Sequence, residues 1–572
     1  MRFLTGSLLL SFAVAPMPVG AAAPTSCTFA SPTLTLVTDE AVGPVRVVRA
    51  GEAIEVYVGD SLLPCGVPGP TVEAVQDVLV EGGTVFVIDL TGGPFSGSGG
   101  DIDFDVDLGV GAIDQLAVIG TADDDHIVVE TRSVDLNRGP ASVGADVRLT
   151  SVDRLTMRLG AGNDTVDAES AMIPLTIYGE DGNDALTTSF RPDFLVGGPG
   201  DDTLESGGGP DALLGGDGAD VLVAGRGSDY LAGGPGADRE EGGEGDDLLD
   251  QGPVPDGADI LSGGTGRDTI AYDRRDGDLV LAAGDVTPDG EAGEGDLLLA
   301  GFEALLAGSG DDVLTGGDGP DALFGGDGDD TMSGGDGDDQ LAGGGGDDAI
   351  DGGPGTDEVA HPEASGPVRI DLSAGIATGE GTDTLVAVES AEGGPFDDEL
   401  IGDAGPNSLD GRSGADRLIG GAGDDALRGG AGSDTVAFPE APGPVTVDLS
   451  AGDASGDGAD SLRGIENAEG TPGDDVLIGD DADNDLWGGG GEDRLVGGVG
   501  SDELDGGPGI DALDGSSGAD RLDAGEGDDS VLGAGGPDEL WGGPGADLID
   551  GGPGKDSCPD RTSEDEVFGC ER

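Results

Sequence analysis

Aromatic residues make up only 3 % of this 572-residue chain, and two of them are Trp. So little aromatic volume excludes a large core of the ordinary globular kind and fits a solenoid with a thin core. Positive charge is just as scarce: 24 Lys and Arg stand against 119 Asp and Glu, a formal net charge of −95. A nucleic-acid binder that works through phosphate contacts needs the opposite balance, and so does a protein that adheres to anionic lipid. The natural partner of such a chain is a cation. The two histidines, His126 and His361, cannot form an H-E-x-x-H zinc site. His126 follows Asp123, Asp124 and Asp125 and reads as a solvated turn residue. No G-x-S-x-G nucleophile elbow occurs. Beyond the first residues no apolar run is long enough to span a membrane. The expectation is a protein that is not an enzyme.

What the chain has instead is glycine, 117 residues of it, in a strict nine-residue period. Three successive units read GGVGSDELD (497–505), GGPGIDALD (506–514) and GSSGADRLD (515–523). Blocks at 179–250, 307–360, 393–437 and 470–559, with an isolated unit at 263–271, hold 30 units. The sixth position is Asp in 28 of the 30, with Asn407 and Asn484 as the exceptions. The eighth is aliphatic or Met except at Glu240 and Cys558. Each position has a physical reason. Glycine allows a tight turn and a close approach of backbone to a ligand. The Asp supplies a hard carboxylate oxygen, the donor that suits calcium. One apolar residue between two outward ones fits a short strand with a single inward side chain. No unit can bury that side chain alone, so the units must stack.

The pattern G-G-x-G-x-D-x-U-x resembles the RTX, or haemolysin-type, calcium-binding repeat. The resemblance implies an all-β fold, a right-handed parallel β-roll in which two nonapeptides make one 18-residue turn and calcium sits between loops two units apart. It implies as ligands the glycine-loop carbonyls and the sixth-position carboxylates. In the first block these are Asp184, Asp202, Asp211, Asp220, Asp229 and Asp247. The second block supplies Asp312, Asp321, Asp330, Asp339, Asp348 and Asp357, and the third Asp416, Asp425 and Asp434. The last supplies Asp475, Asp493, Asp502, Asp511, Asp520, Asp529, Asp538, Asp547 and Asp556. If every loop pair is competent, roughly 20 Ca2+ ions would bind. Family relatives carry protease, lipase or pore-forming domains, and none of those is visible here. Relatives also leave the cell by a C-terminal signal, whereas this chain carries an N-terminal one.

Residues 1–23 read as a secretory signal peptide: an early Arg2, an apolar run and an Ala-rich end. Export makes disulfides plausible, and the four cysteines suggest Cys27–Cys65 and Cys558–Cys570, with the other pairings open. Residues 24–160 read as a β-rich N-terminal cap, from alternating runs such as Val45–Val48 and Val85–Leu90. The remaining divisions are repeats at 161–271, 307–360, 393–437 and 470–559, interludes at 272–306, 361–392 and 438–469, and a Cys-containing cap at 560–572. The interludes, each carrying a Glu (Glu303, Glu389, Glu466), read as irregular turns of the same coil, and Asp371 and Asp448 read as turn residues. The expected protein is secreted and folds on binding calcium outside the cell, as a structural, matrix or adhesion component. Its partners would be calcium ions and, as a further candidate, a cell-surface protein or glycan. The alternative is an enzyme or polysaccharide-binding protein on a β-helix.

Overall fold

The computed structural model describes residues 152–284, 288–299, 301–559 and 564–571, and within 26–150 a set of strands together with Asp125. The expected signal peptide and the expected Cys27–Cys65 bridge lie outside the described residues. The chain divides into two compact units, residues 1–248 and 249–572. Among the described residues there are strands and no helix, so none long and apolar enough to cross a membrane. The fold is the right-handed parallel β-roll.

In the first unit two sheets form from alternate strands. Thr33–Val37 pairs in parallel with Asp77–Glu81, which pairs with Asp103–Asp107 and so with Val147–Thr150. On the second sheet Val85–Asp89, Gln115–Ile119 and Arg154–Ala161 follow one another in parallel. Antiparallel hairpins, Ser26–Ala30 with Thr33–Val37 and Val45–Ala50 with Ala53–Val58, stand at the start. His126 opens the strand His126–Glu130 rather than a turn.

From Ala185 onward the nonapeptide sets the register. Leu186 faces Leu204 and Leu204 faces Leu222 on one sheet; Leu195 faces Leu213 and Leu213 faces Leu231 on the other. Identical positions meet 18 residues apart, so two units make one turn. All of these leucines have no exposure. The core is a double file of leucines, one per unit, each strand offering a single side chain inward because strand side chains alternate. Glu240 is the inward exception in the first unit, and its Oε1 accepts the Gly233 N–H at 2.8 Å.

The second unit repeats this scheme with three insertions. In the middle one, Glu358–Ala360 pairs directly in parallel with Ser390–Glu392 on one sheet. On the other sheet Thr382–Val386, Ile376–Thr378 and Arg369–Asp371 run antiparallel to one another. This meander is stitched in parallel to Ala349–Asp351 at one edge and to Glu399–Ile401 at the other. The third insertion repeats the arrangement with Thr446–Asp448, Asp453–Ser455 and Ala459–Arg463. The first hairpin turn of each of these two insertions is capped by side chains: Asp371 Oδ1 accepts from the Ser373 hydroxyl and the Ala374 N–H, and Asp448 Oδ1 from Ser450 and Ala451. At the end of the chain Cys558 takes the inward eighth position and is bonded to Cys570, which lies on the strand paired with Asp556–Ser557.

Candidate metal centre

The sixth-position carboxylates are buried, most of them below 5 % exposure. They lie in files along the coil. Oδ1 of each accepts the backbone N–H of the residue one turn earlier: Asp184 N–H to Asp202 and Asp202 N–H to Asp220, both at 2.7 Å. The other flank has Asp211 N–H to Asp229 at 2.7 Å and Asp229 N–H to Asp247 at 2.9 Å. In the second unit the files Asp312–Asp330–Asp348 and Asp321–Asp339–Asp357 do the same. So do Asp416–Asp434, and Asp425 through the N–H of Asn407. The last block carries Asp475–Asp493–Asp511–Asp529–Asp547 and Asp502–Asp520–Asp538–Asp556.

The second oxygen is what makes these files unusual. Oδ2 of Asp202, Asp220, Asp330, Asp348, Asp493, Asp511, Asp520 and Asp529, among others, is buried with no hydrogen-bond partner. A buried anionic oxygen left unpaired is strongly unfavourable, so these oxygens call for a cation. Backbone oxygen converges on the same place. A methyl group on Gly334 would collide with both Asp339 Oδ2 and the Gly352 carbonyl, and one on Gly325 with Asp330 Oδ2 and the Gly343 carbonyl. Glycine in the first position is therefore the cradle that keeps carboxylate and carbonyl facing one another. Position four needs glycine for a different reason: at Gly328, with φ +142°, a side chain would run into the Gly310 carbonyl of the previous turn.

Without a cation the files resist ionisation. Burial pushes Asp330 up to about 7; the Asp312 N–H opposes the rise, and the charges of Asp348 and Asp312 add to it. Burial likewise raises Asp184, Asp416 and Asp520 to about 7, and Asp220, Asp493, Asp511 and Asp529 to about 6. Among the described residues no three His, Cys, Asp or Glu side chains gather at one point. The donor set is instead one carboxylate with backbone carbonyls, all hard oxygen, which suits calcium and not the softer transition metals.

Two of the expected ligands differ. Asp321 Oδ2 accepts the Gly317 N–H at 2.6 Å, and Asp475 Oδ2 accepts the Thr471 N–H and hydroxyl. The files also contain carboxylates that sequence reasoning did not single out. Asp193 and Asp238 extend the first block, and Asp164 and Asp398 lead into theirs. The nine-residue spacing was the available signal for Asp193, Asp238 and Asp398, whereas Asp164 stands 20 residues before Asp184. Neutral Asn407 and Asn484 sit in the files too, and their Nδ2 groups donate to the carbonyls of Glu389 and Glu466 at 3.0 and 2.7 Å.

The first interlude is built differently. Arg275 is fully buried. Its guanidinium donates to the carbonyls of Gly252 and Gln251 at 2.8 and 2.7 Å and lies 2.9 Å from Glu294 and 3.6 Å from Asp256. The Tyr272 hydroxyl donates to Asp296 Oδ2 at 2.6 Å. In the second interlude the equivalent aromatic is His361, buried, 4.0 Å from Asp383 Oδ2 and held below the usual imidazole range by burial.

The family model of the RTX calcium-binding nonapeptide repeat (four copies) matches residues 178–213, 214–249, 256–271, 306–341, 324–359, 392–427, 401–436, 469–504, 505–540 and 525–558. No curated protein matches the chain.

Proposed function

Because the chain belongs to the RTX calcium-binding nonapeptide repeat family, its coil binds calcium, and we propose that this uptake folds it outside the cell into a non-enzymatic scaffold. The observation that carries the reading is the file of buried carboxylates, each with one oxygen on a backbone N–H and the other without a partner. Calcium, when bound, supplies the positive charge that these oxygens lack. The chain's part is to hold the donors. The leucine file fixes the turns 18 residues apart, the N–H of one Asp orients the next carboxylate, and the bare first-position glycine leaves the gap between carboxylate and carbonyl open.

The same features argue for coupling of binding to folding. Each unit buries a single aliphatic side chain while nine Gly-rich residues must be ordered, so burial alone does not hold the coil. Ion binding is the term that can reverse the balance. Extracellular calcium sites work at about 10⁻⁴–10⁻³ M, far above cytosolic calcium, so such a chain stays unfolded within a cell and folds beyond it. A role in a surface layer, matrix or adhesion then follows from a strongly acidic repeat coil, with a surface protein or glycan as its partner. The test is to express the full chain with its own N-terminal residues and assay medium and cell fractions by limited proteolysis. The reading expects the chain in the medium, resistant at millimolar calcium and cleaved throughout in EDTA. Retention in the cytosol in a resistant form would overturn it.

A further inference from the structure

The segments that match the family model stop at residue 359 and resume at 392, then stop at 436 and resume at 469. The structure places a calcium-type donor set inside each gap. Residues 384–392 read TLVAVESAE and 461–469 read SLRGIENAE. Both abut the next repeat block in register, with Glu389 and Glu466 at the sixth position and buried Ala391 and Ala468 at the eighth. The fourth position has φ 51° at Ala387 and 60° at Gly464, a left-handed turn where the regular repeat is more extended, as at Gly328 with φ +142°. Backbone pairing agrees: Ser390 N–H donates to the Asp357 carbonyl at 2.8 Å and Asn467 N–H to the Asp434 carbonyl at 2.9 Å. In an ordinary unit Thr331 N–H donates to the Asp312 carbonyl at 2.8 Å. These are nonapeptides that have lost all their glycines but Gly464 and have Asp lengthened to Glu.

We propose that Glu389 and Glu466 are calcium ligands, closing one site with the Asp357 carboxylate and the Ala387 carbonyl and another with the Asp434 carboxylate and the Gly464 carbonyl. The inference rests on the calcium-coil reading above. Each Glu takes the orienting contact of a file member: Glu389 Oε2 accepts the Asp357 N–H and Glu466 Oε2 the Asp434 N–H, both at 3.0 Å. Asp357 and Asp434 have no exposure, and Oδ2 of each has no hydrogen-bond partner. A methyl on Gly352 would strike both Asp357 Oδ2 and the Ala387 carbonyl, and one on Gly429 both Asp434 Oδ2 and the Gly464 carbonyl. This is the cradle of the regular repeat, with a fourth-position carbonyl in place of a first-position one. One turn further on, the Asn407 and Asn484 amides donate to the carbonyls of Glu389 and Glu466. A neutral donor thus ends the ion file one step after each Glu, so each Glu belongs to a single site. Each ion file thus carries one further site into its interlude before it ends.

Native mass spectrometry of the full calcium-loaded chain counts the ions. Glu389→Gln and Glu466→Gln should each lose one ion relative to the parent, and the double variant two. Glu503→Gln, which removes an outward carboxylate paired with Arg521, should lose none. Circular dichroism on the same samples reports whether the coil has formed. A folded Gln variant with the full count overturns the proposal. If a Gln variant fails to fold, Glu389→Asp and Glu466→Asp, which restore the carboxylate of the regular repeat, are counted in its place; folding with the full count in the Asp variant supports the proposal, and an Asp variant that fails to fold as the Gln variant does overturns it. A parent chain that binds no calcium would instead defeat the calcium-coil reading.

Discussion

In the repeat blocks and in the first interlude the chain buries carboxylates, but it answers their charge in different ways. Around Asp511 the partners are a backbone N–H on one oxygen and nothing from the protein on the other. Around Glu294 and Asp256 the partner is Arg275, fully buried and also satisfied by two carbonyls. A guanidinium is always charged and travels with the chain. A file of carboxylates without one must draw its cation from solution. The comparison separates a part of the molecule whose charge balance is written into the sequence from parts whose balance depends on the medium.

The largest effect should come from breaking the internal cation. Arg275→Met leaves buried carboxylates unpaired, a loss of about 3–5 kcal/mol, and should lower the unfolding midpoint at saturating calcium without changing the number of bound ions. A reduced ion count would show that Arg275 supports a metal site and blur the distinction. The repeat should behave in the reverse manner. Asp511→Asn keeps the shape but removes the charge, so it should lose bound calcium and shift the calcium midpoint upward in a folding titration. The outward Asp505→Asn should leave both unchanged; equal midpoints for the two variants would count against the ligand assignment.

Acid sharpens the contrast further. Burial raises the repeat carboxylates, Asp330 to about 7 and Asp511 to about 6, above the ordinary value of about 3.9 in an unfolded chain. The metal-free coil therefore binds more protons than the unfolded chain. The stabilisation from those protons is complete below about pH 4 and is lost as pH rises through 6 to 7. In EDTA, lowering the pH from 8 to 4.5 should raise the β signal, and over the same window protons should compete with calcium. A signal in EDTA that does not respond to pH would refute this. The smallest contrast is steric. Gly334→Ala intrudes on Asp339 and Gly352 and should weaken calcium uptake, whereas Gly366→Ala meets open space and should be silent; calorimetric titration of the pair reads the difference.

Much of this architecture was legible because it is local and periodic. An Asp every ninth residue and a Leu two positions later dictate both the inward file and the 18-residue register seen between Leu186 and Leu204. The Cys558–Cys570 bond was also legible, from position at the end of the repeat. The interludes were legible as irregular turns of the coil, but their part in the carboxylate files was not, for a physical reason. Asp383 meets the N–H of Asp348 across 35 residues and Glu389 that of Asp357 across 32, so their membership in the files depends on how an intervening meander folds. Arg275 looked like any solvated charge in a glycine-rich insert, because the carbonyls that hold it lie 23 and 24 residues upstream. Asp321 and Asp475 show the converse: their pattern is regular, yet a nearby N–H already takes the second oxygen.

The most direct test of the account is far-UV circular dichroism of the full chain during a calcium titration, with magnesium and EDTA as controls. The account predicts a cooperative change from coil to β that calcium induces, magnesium does not reproduce and EDTA reverses. A chain that stays coil at millimolar calcium, or is equally β after exhaustive chelation, would contradict it.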